Sequence, residues 1–434
     1  MKVAIVGFGV EGQSSYNYFK KQGADITIVD ESAAPKFTPP EGVHLIAGDG
    51  ALDALQDFDV VMRVPAMNPS KIRTNGRVSS NVKEFFEQCP SKNIVGVTAA
   101  KGKGTMCSLV YEIAQAAGRR VHLAGNIGVP ALDVLPDVQP DDIVVLELSS
   151  FQLWDMKQSP HIAIVGMIEP EHLEIHDGFK DYLDAKANIA RWQMPDDILV
   201  YHPTNEHSKY IADTSSAAVK IPYNTQEGAY IDIADGERVL MIHGKQICKA
   251  SEVQLPGIHN LENICAAVTA AWQFTQDVAA IRKAVTSFKG LPHRMQFVEK
   301  KHGVSYYDDS ISTTPGSVIA VLHAFDPAKT TLIIGGQYDK GVDFSGLADE
   351  IARLQPHKVF FVGPIGEAIA SLARTAGYEG EILNQWAMAE VVMAAAATAA
   401  KDGIVVLSPA CASFGDFKDY KDRGNQFISA VKAL

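Results

Sequence analysis

The stretch Gly96-Val97-Thr98-Ala99-Ala100-Lys101-Gly102-Lys103-Gly104-Thr105 has the residue types and spacing to hold a polyphosphate. A glycine-lysine turn between a strand and a helix aims backbone N–H groups and the helix N-terminus at phosphate oxygens, and the lysine adds a point charge. The flanks fit: Asn93 to Val97 is apolar, and Met106, Leu109, Val110, Ile113 and Ala117 recur at helical steps before Gly118. Lys103 is therefore the first candidate catalytic residue, with Lys101, Gly102, Gly104 and Thr105 as its nucleotide-binding neighbours. The usual loop carries Ser or Thr directly after the lysine as a magnesium ligand; Gly104 stands there and Thr105 follows one place later. Ala99 and Ala100 occupy places where a tight loop favours glycine, and a plain strand-to-helix turn is the competing reading.

Other polar residues stand where strands should end. Glu147, in Glu147-Leu148-Ser149-Ser150-Phe151, follows an apolar run and suits a hard cation that takes few protein oxygens and completes its shell with water and phosphate. His172 lies in Glu169-Pro170-Glu171-His172-Leu173, Asn126 in Gly125-Asn126-Ile127-Gly128, and Lys186 on a helix expected over Asp181 to Ile189. For Glu147 or His172 alone, a satisfied polar residue at a strand end is an equally good reading. Asn260 and Asn263, three apart at a helix start, could read a base edge or cap the helix. Near the N-terminus, Gly7-Phe8-Gly9-Val10-Glu11-Gly12 joins a strand to a helix, with Asp30 closing the next strand. This is a dinucleotide-type fingerprint in its proper context. Toward the C-terminus three polar clusters, Tyr307 to Thr314, Gly335 to Gly341 with Lys340, and Ser408 to Phe414, would suit a small anionic substrate.

Positioning these groups requires repeated strand-helix units. Strands are expected at Lys2 to Val6, Asp25 to Val29, Val43 to Ile46 and Asp59 to Met62, then at Asn93 to Val97, Arg120 to Leu123, Ile143 to Leu146 and Ile162 to Gly166. Between Ile198 and Val253 short alternating runs with turns at Gly228, Gly236 and Gly244 predict antiparallel sheet. A last set is expected at Thr331 to Ile334, Lys358 to Val362, Gly380 to Leu383 and Ile404 to Leu407. The fold class is α/β in three domains: 1–91, Rossmann-like; 92–290, central, with a phosphate loop and a mostly parallel sheet; and 291–434, Rossmann-like α/β.

Composition bounds the function. The 434 residues are 47% hydrophobic and 21% charged with a net charge of −12, an ordinary globular balance that argues against non-specific nucleic-acid or anionic-membrane binding. The five cysteines lack metal-ligand spacing and read as reduced, packed thiols. With no leader pattern at the start and no 18-residue apolar run, a cytoplasmic protein is expected.

Taken in order, these motifs resemble the Mur ligase family, specifically its glutamate-adding branch. The resemblance spans the whole chain and also rests on Ala185-Lys186-Ala187-Asn188, His259-Asn260, Pro292-His293-Arg294, Asp309-Ser310, Asp339-Lys340-Gly341 and Ser408-Pro409-Ala410-Cys411-Ala412-Ser413-Phe414. It implies an ATP-dependent amide ligase that adds D-glutamate to UDP-N-acetylmuramoyl-L-alanine through an acyl phosphate, in peptidoglycan precursor synthesis, acting as a monomer. The resemblance assigns catalysis to Lys103, Glu147, His172 and Lys186. It assigns ATP to residues 101–105 with Asn260, Asn263, Arg294 and Asp309, and the UDP moiety to Gly7, Gly9, Val10, Glu11, Gly12, Asp30 and Asn126. Thr313, Lys340, Ser413, Phe414 and Tyr420 match positions for the incoming amino acid. Two Mg2+ ions are implied on Thr105, Glu147, His172 and Lys186, the last as a carbamate. Another Mur ligase or a sister ligase of the folylpolyglutamate type, or a catalytically silent nucleotide-binding homologue, fits the same motifs.

Overall fold

The structure, a computed structural model, describes residues 1–434 apart from Lys36, Glu174, 338–341, 380–381, 385–386 and Phe414, and apart from the side chains of 382–384. The chain divides into two compact units, 1–250 with 262–285, and 251–261 with 286–434.

The first unit holds three sheets. Strands β1 (Lys2–Val6), β2 (Asp25–Asp30), β3 (His44–Ala47), β4 (Val60–Arg63) and β5 (Arg77–Ser80) form a wholly parallel sheet in the order β3-β2-β1-β4-β5. Order reverses beside β1, and in such sheets ligands bind outside the carboxyl ends at this switch point. The second sheet contains β6 (Ile94–Thr98), β7 (Val121–Gly125), β8 (Ile143–Glu147), β9 (Ile162–Val165), β10 (Ile198–Tyr201) and β11 (Val219–Pro222), all parallel, in the order β11-β10-β9-β6-β8-β7. Strand β6 is central and buried at every residue, as a run of Ile-Val-Gly-Val-Thr flanked on both faces requires. The helix Lys103–Ala116 follows it and buries Met106, Leu109, Val110 and Ile113, the predicted stripe; Gly118, at φ +71°, turns the chain away.

The antiparallel prediction for 198–253 needs correction at its start. β10 and β11 pair in parallel and extend the second sheet, because Ile-Leu-Val-Tyr is a short buried-strand run that chance alternation nearby disguised. The antiparallel part is β12 (Ala229–Ala234), β13 (Glu237–Ile242) and β14 (Lys245–Lys249). Their turns, Asp235-Gly236 and His243-Gly244, have positive φ at both residues, the type I′ geometry that matches strand twist.

In the second unit β15 (Gln296–Lys301), β16 (Val304–Asp308), β17 (Thr330–Gly335), β18 (Lys358–Val362), β19 (Ile382–Asn384) and β20 (Ile404–Leu407) run in the order β15-β16-β20-β17-β18-β19. All pairs are parallel except β15-β16, a hairpin closed by His302-Gly303, again both at positive φ. Its cores hold Phe360, Phe361, Ile351, Leu347 and Phe427, all fully buried. The architecture is α/β with mostly parallel sheets. All five cysteines are free thiols, four buried and Cys89 half-buried. No helix among the described residues is long and apolar enough to cross a membrane.

Candidate active site

In the first unit the predicted residues gather at the carboxyl ends of β6, β7, β8 and β9. Gly102 caps the Lys103–Ala116 helix at φ +82°, and a Cβ there would stand 2.3 Å from Asn263 Oδ1. Glycine is thus required twice over, by backbone conformation and by the asparagine packed on it. Ala99 and Ala100 do not have positive φ, so alanine carries no left-handed strain at either position. The Lys103 ammonium folds back to donate to Ala99 O at 2.9 Å and Ala100 O at 2.7 Å. Lys186, 2% exposed on the helix Gly178–Arg191, reaches the same Ala99 carbonyl at 2.9 Å and the Thr98 hydroxyl at 3.3 Å. Burial, then the neighbouring Lys103 charge, hold the Lys186 amine well below its usual range, against the pull of Glu171 and Glu147. Its nitrogen also lies 4.9 Å from the centre of the Tyr182 ring.

Glu147 ends β8 and is buried; its Oε1 accepts from Asn126 Nδ2 at 2.7 Å, while the Asn126 N–H donates to Glu147 O at 2.9 Å. Asn126 therefore orients the carboxylate, an arrangement that the UDP assignment did not anticipate. Thr105 is buried in the helix's first turn. His172 is exposed and sits at φ +56°, a left-handed conformation uncommon for a non-glycine residue. Lys101 is exposed and lies 3.9 Å from Glu169, a surface pair of little worth. No three His, Cys, Asp or Glu side chains among the described residues are grouped to hold a metal ion. A magnesium ion sharing Glu147 with phosphate and water fits that donor set; a closed protein cage does not.

The glycine turn of the first sheet has two kinds of glycine. A Cβ on Gly7 would meet Val64 Cγ2 at 2.7 Å and one on Gly12 would meet Gly7 O at 2.4 Å, so packing alone explains both. Gly9 is extended, at φ −73°, and has nothing within 4 Å of a would-be Cβ. The bare backbone there is free for a ligand's approach. Val10 is 73% exposed beside it, and Asp30 closes β2 with Oδ1 accepting from the Ser32 N–H at 2.8 Å. Glu11 turns inward: Oε1 accepts from Gln152 Nε2 at 2.6 Å, and Oε2 is buried with no partner. Burial pushes its carboxyl up to about 7, against the Gln152 bond and the nearby Arg63 charge.

In the second unit, Asp309 follows β16 and takes hydrogen bonds from the Met295 N–H (3.0 Å) and Ser408 Oγ (2.8 Å). Burial raises its carboxyl to about 6, against those bonds, one from Ser312 and the Arg294 charge. Arg294 is exposed, Thr313 and Tyr420 are half-buried, and Ser413 is buried. Asn260, also of this unit, is buried and donates from Nδ2 to Pro256 O at 2.6 Å. Lys340 and Phe414 lie outside the described residues. Arg423 went unrecognised in the sequence, whereas His293 was noted only within the Pro292-His293-Arg294 motif. Buried Arg423 donates to Ser310 Oγ, Ser310 O and Cys411 O, and His293 pairs with Asp308 at 2.7 Å. Nothing local marks Arg423 as buried. His176 in the first unit was also missed, although its spacing four residues after His172 was a usable signal.

A lysine-bearing glycine loop beside a strand-end carboxylate in an α/β protein is the arrangement expected of a nucleotide-dependent group-transfer enzyme. The chain belongs to the Mur ligase family: residues 97–271 match the Mur ligase middle domain, and residues 293–411 match the Mur ligase, glutamate ligase domain. It is 33% identical to the UDP-N-acetylmuramoylalanine--D-glutamate ligase of Clostridium kluyveri, with 100% of this chain and 97% of that protein covered. The protein of the same name from Symbiobacterium thermophilum is 34% identical, over 100% and 98%. Among solved structures, the UDP-N-acetylmuramate-alanine ligase of Thermotoga maritima shares the fold at TM-score 0.62 and 16% identity, covering 100% of this chain and 99% of that one. The MurF ligase of the same organism, solved with ADP, aligns at TM-score 0.58 and 18% identity over 99% and 93%.

Proposed function

We propose that this ligase uses ATP to join D-glutamate to UDP-N-acetylmuramoyl-L-alanine, releasing ADP and phosphate. The observation that carries the reading is the meeting of the Lys103 and Lys186 amino groups on one loop carbonyl, at the sheet end where Glu147 lies. The first step moves the γ-phosphoryl group onto the substrate carboxylate, and its difficulty is the approach of two anions. Lys103 would leave the Ala99 and Ala100 carbonyls for the phosphate oxygens and neutralise charge that grows in the transition state. In the second step the glutamate amine attacks the acyl phosphate; the C–O bond breaks, phosphate leaves with the electron pair, and the amine gives up a proton as the amide forms.

Glu147, His172 and Thr105 would hold Mg2+, which would screen the reacting phosphate when bound. Lys186, whose burial lowers its amine's pKa and so favours the free base, would add carbon dioxide as a carbamate and so supply further metal-facing oxygens. The open backbone at Gly9, with Val10, Gly12 and Asp30, would take the UDP portion. Thr313, Ser413 and Tyr420, with Lys340 and Phe414, would take glutamate, and Arg294, Asp309, Asn260 and Asn263 the nucleotide. The segments 1–91, 92–290 and 291–434 would be the working domains of a cytoplasmic monomer. Phosphate release with ATP, UDP-N-acetylmuramoyl-L-alanine and D-glutamate tests the reading. Release is expected only with both acceptors present, and Lys103→Ala should lower it by roughly a hundredfold or more. Release no greater than without glutamate would overturn it.

A further inference from the structure

Four side chains outside the assigned set form one chain of hydrogen bonds. Trp154 Nε1 donates to Asp181 Oδ1 at 2.9 Å, Asp181 Oδ2 faces His176 Nδ1 at 2.9 Å, and His176 Nε2 faces Ser150 Oγ at 3.0 Å. The donors can be assigned. Burial alone would raise the Asp181 carboxyl, but bonds from Trp154, His176 and the Asp177 N–H hold it below the usual carboxylate range, so it is an ionised acceptor. His176 therefore donates from Nδ1, and its Nε2 is left to accept the Ser150 proton. The same order of groups activates a serine in hydrolases, but Ser150 is 2% exposed and His176 3%, which leaves no room for an acyl group to reach the hydroxyl.

What the chain does mechanically is join three segments. Ser150 and Trp154 belong to the turn of helix directly after Glu147, Asp181 to the helix that carries Lys186, and His176 to the turn that carries His172. The His176 N–H donates to His172 O at 3.0 Å, closing that turn. The Phe151 ring stacks on His176 at 5.0 Å and 5° and also meets the His172 ring at 5.0 Å. Trp154 and Tyr182 close the other sides of His176, at 4.2 and 5.5 Å.

We propose that Ser150, His176, Asp181 and Trp154 are a clamp that fixes His172 relative to Glu147, which makes His176 a positioning residue for the cation those two face. The proposal rests on the reading of Glu147 and His172 as metal-facing. It accounts for His172 holding a left-handed backbone outside any glycine turn: the clamp over-determines the conformation.

The test uses the full chain with 15N-labelled histidine and two readouts that do not depend on turnover. Long-range 1H–15N spectra report each ring's tautomer, and Mn2+ alone, followed by the EPR signal of the free ion, reports cation affinity. The wild type should show His176 protonated at Nδ1. Ser150→Ala removes only the hydroxyl and should shift the His172 ring resonances, as should His176→Phe, which keeps the stacking but loses both hydrogen bonds. Mn2+ affinity should fall roughly 10- to 100-fold in His176→Phe, the range for lost outer-shell support, and His176→Asn, which keeps a donor to Asp181, should recover part of it. His172 resonances unchanged in Ser150→Ala would overturn the clamp, even if His176→Phe does not fold. Glu147→Gln separates the two readings: if it leaves Mn2+ binding unchanged, the cation assignment fails, while the His172 resonances still decide the clamp.

Discussion

Replacing Lys186 with methionine should abolish ligation and yet make the protein more stable at neutral pH. The side chains have similar length, so the change keeps the packing against Tyr182 and removes the amine. Two hydrogen bonds are lost, each worth about 0.5–1.5 kcal/mol, but neither leaves a buried orphan. Ala99 O still accepts from Lys103, and the Thr98 hydroxyl still donates to Leu148 O at 2.9 Å. Against that loss stands the cost of burying the amine beside another lysine, which disfavours its charged form. The folded-state pKa is depressed, so between it and the unfolded value near 10.5 the unfolded chain binds one more proton than the folded one. Wild-type stability then rises with pH across that interval, by about 1.4 kcal/mol per unit, while the methionine variant has no such slope. The methionine variant should therefore melt above wild type at pH 7, by an advantage that shrinks as pH approaches 10. Calorimetry of both proteins at pH 7, 8.5 and 10 in carbonate-free buffer measures it. A variant that melts below wild type at pH 7, or an advantage that does not shrink with rising pH, would refute the account of Lys186 as an amine whose charged form is destabilised by burial.

Gly102→Ala should cost more than 2 kcal/mol and abolish ATP binding measured by calorimetry, since it joins a left-handed backbone to a clash with Asn263. Ala99→Gly should fail to raise ATP affinity, because Ala99 is not strained and its Cβ packs beside Gly166; Gly104→Ser should stabilise the helix start by about 0.5 kcal/mol in urea melts. Glu11→Gln should remove a pH dependence. With its carboxyl raised to about 7, Glu11 favours the folded state fully below about 4.5, and that contribution is lost as pH rises through 7. The glutamine variant should match wild type in denaturant midpoint at pH 5 and exceed it at pH 8.

Strand placement was largely legible because buried parallel strands are short apolar runs: Lys2–Val6, Lys358–Val362 and Ile404–Leu407 lie where periodicity put them. β5 was not, since Arg-Val-Ser-Ser has no apolar run and is held by pairing to β4 at the sheet edge. The hairpin strand β15 escaped for a similar reason. The candidates Lys103, Glu147, His172 and Lys186 were singled out through motifs. Sequence distance hid their relations: Lys186 lies 87 residues from the carbonyl it shares with Lys103. The alanines at 99 and 100 looked costly only because a linear motif does not reveal which loop residue takes positive φ; here that residue is Gly102.

The segment from Glu147 to Asp155 ties the two parallel sheets of the first unit together. Gln152 holds Glu11, Phe151 O and Asp155 hold buried Arg63 of β4, and Lys83 reaches Asp155 at 3.1 Å. A strut of this kind makes the first unit a ruler. On the proposed reading, the span from the bare backbone at Gly9 to the carboxylate at Glu147 is set by the protein, so a molecule gripped at both ends would be selected by its length. A precursor one residue longer or shorter would bring the wrong atom to the phosphate loop, whatever its affinity for the glycine turn.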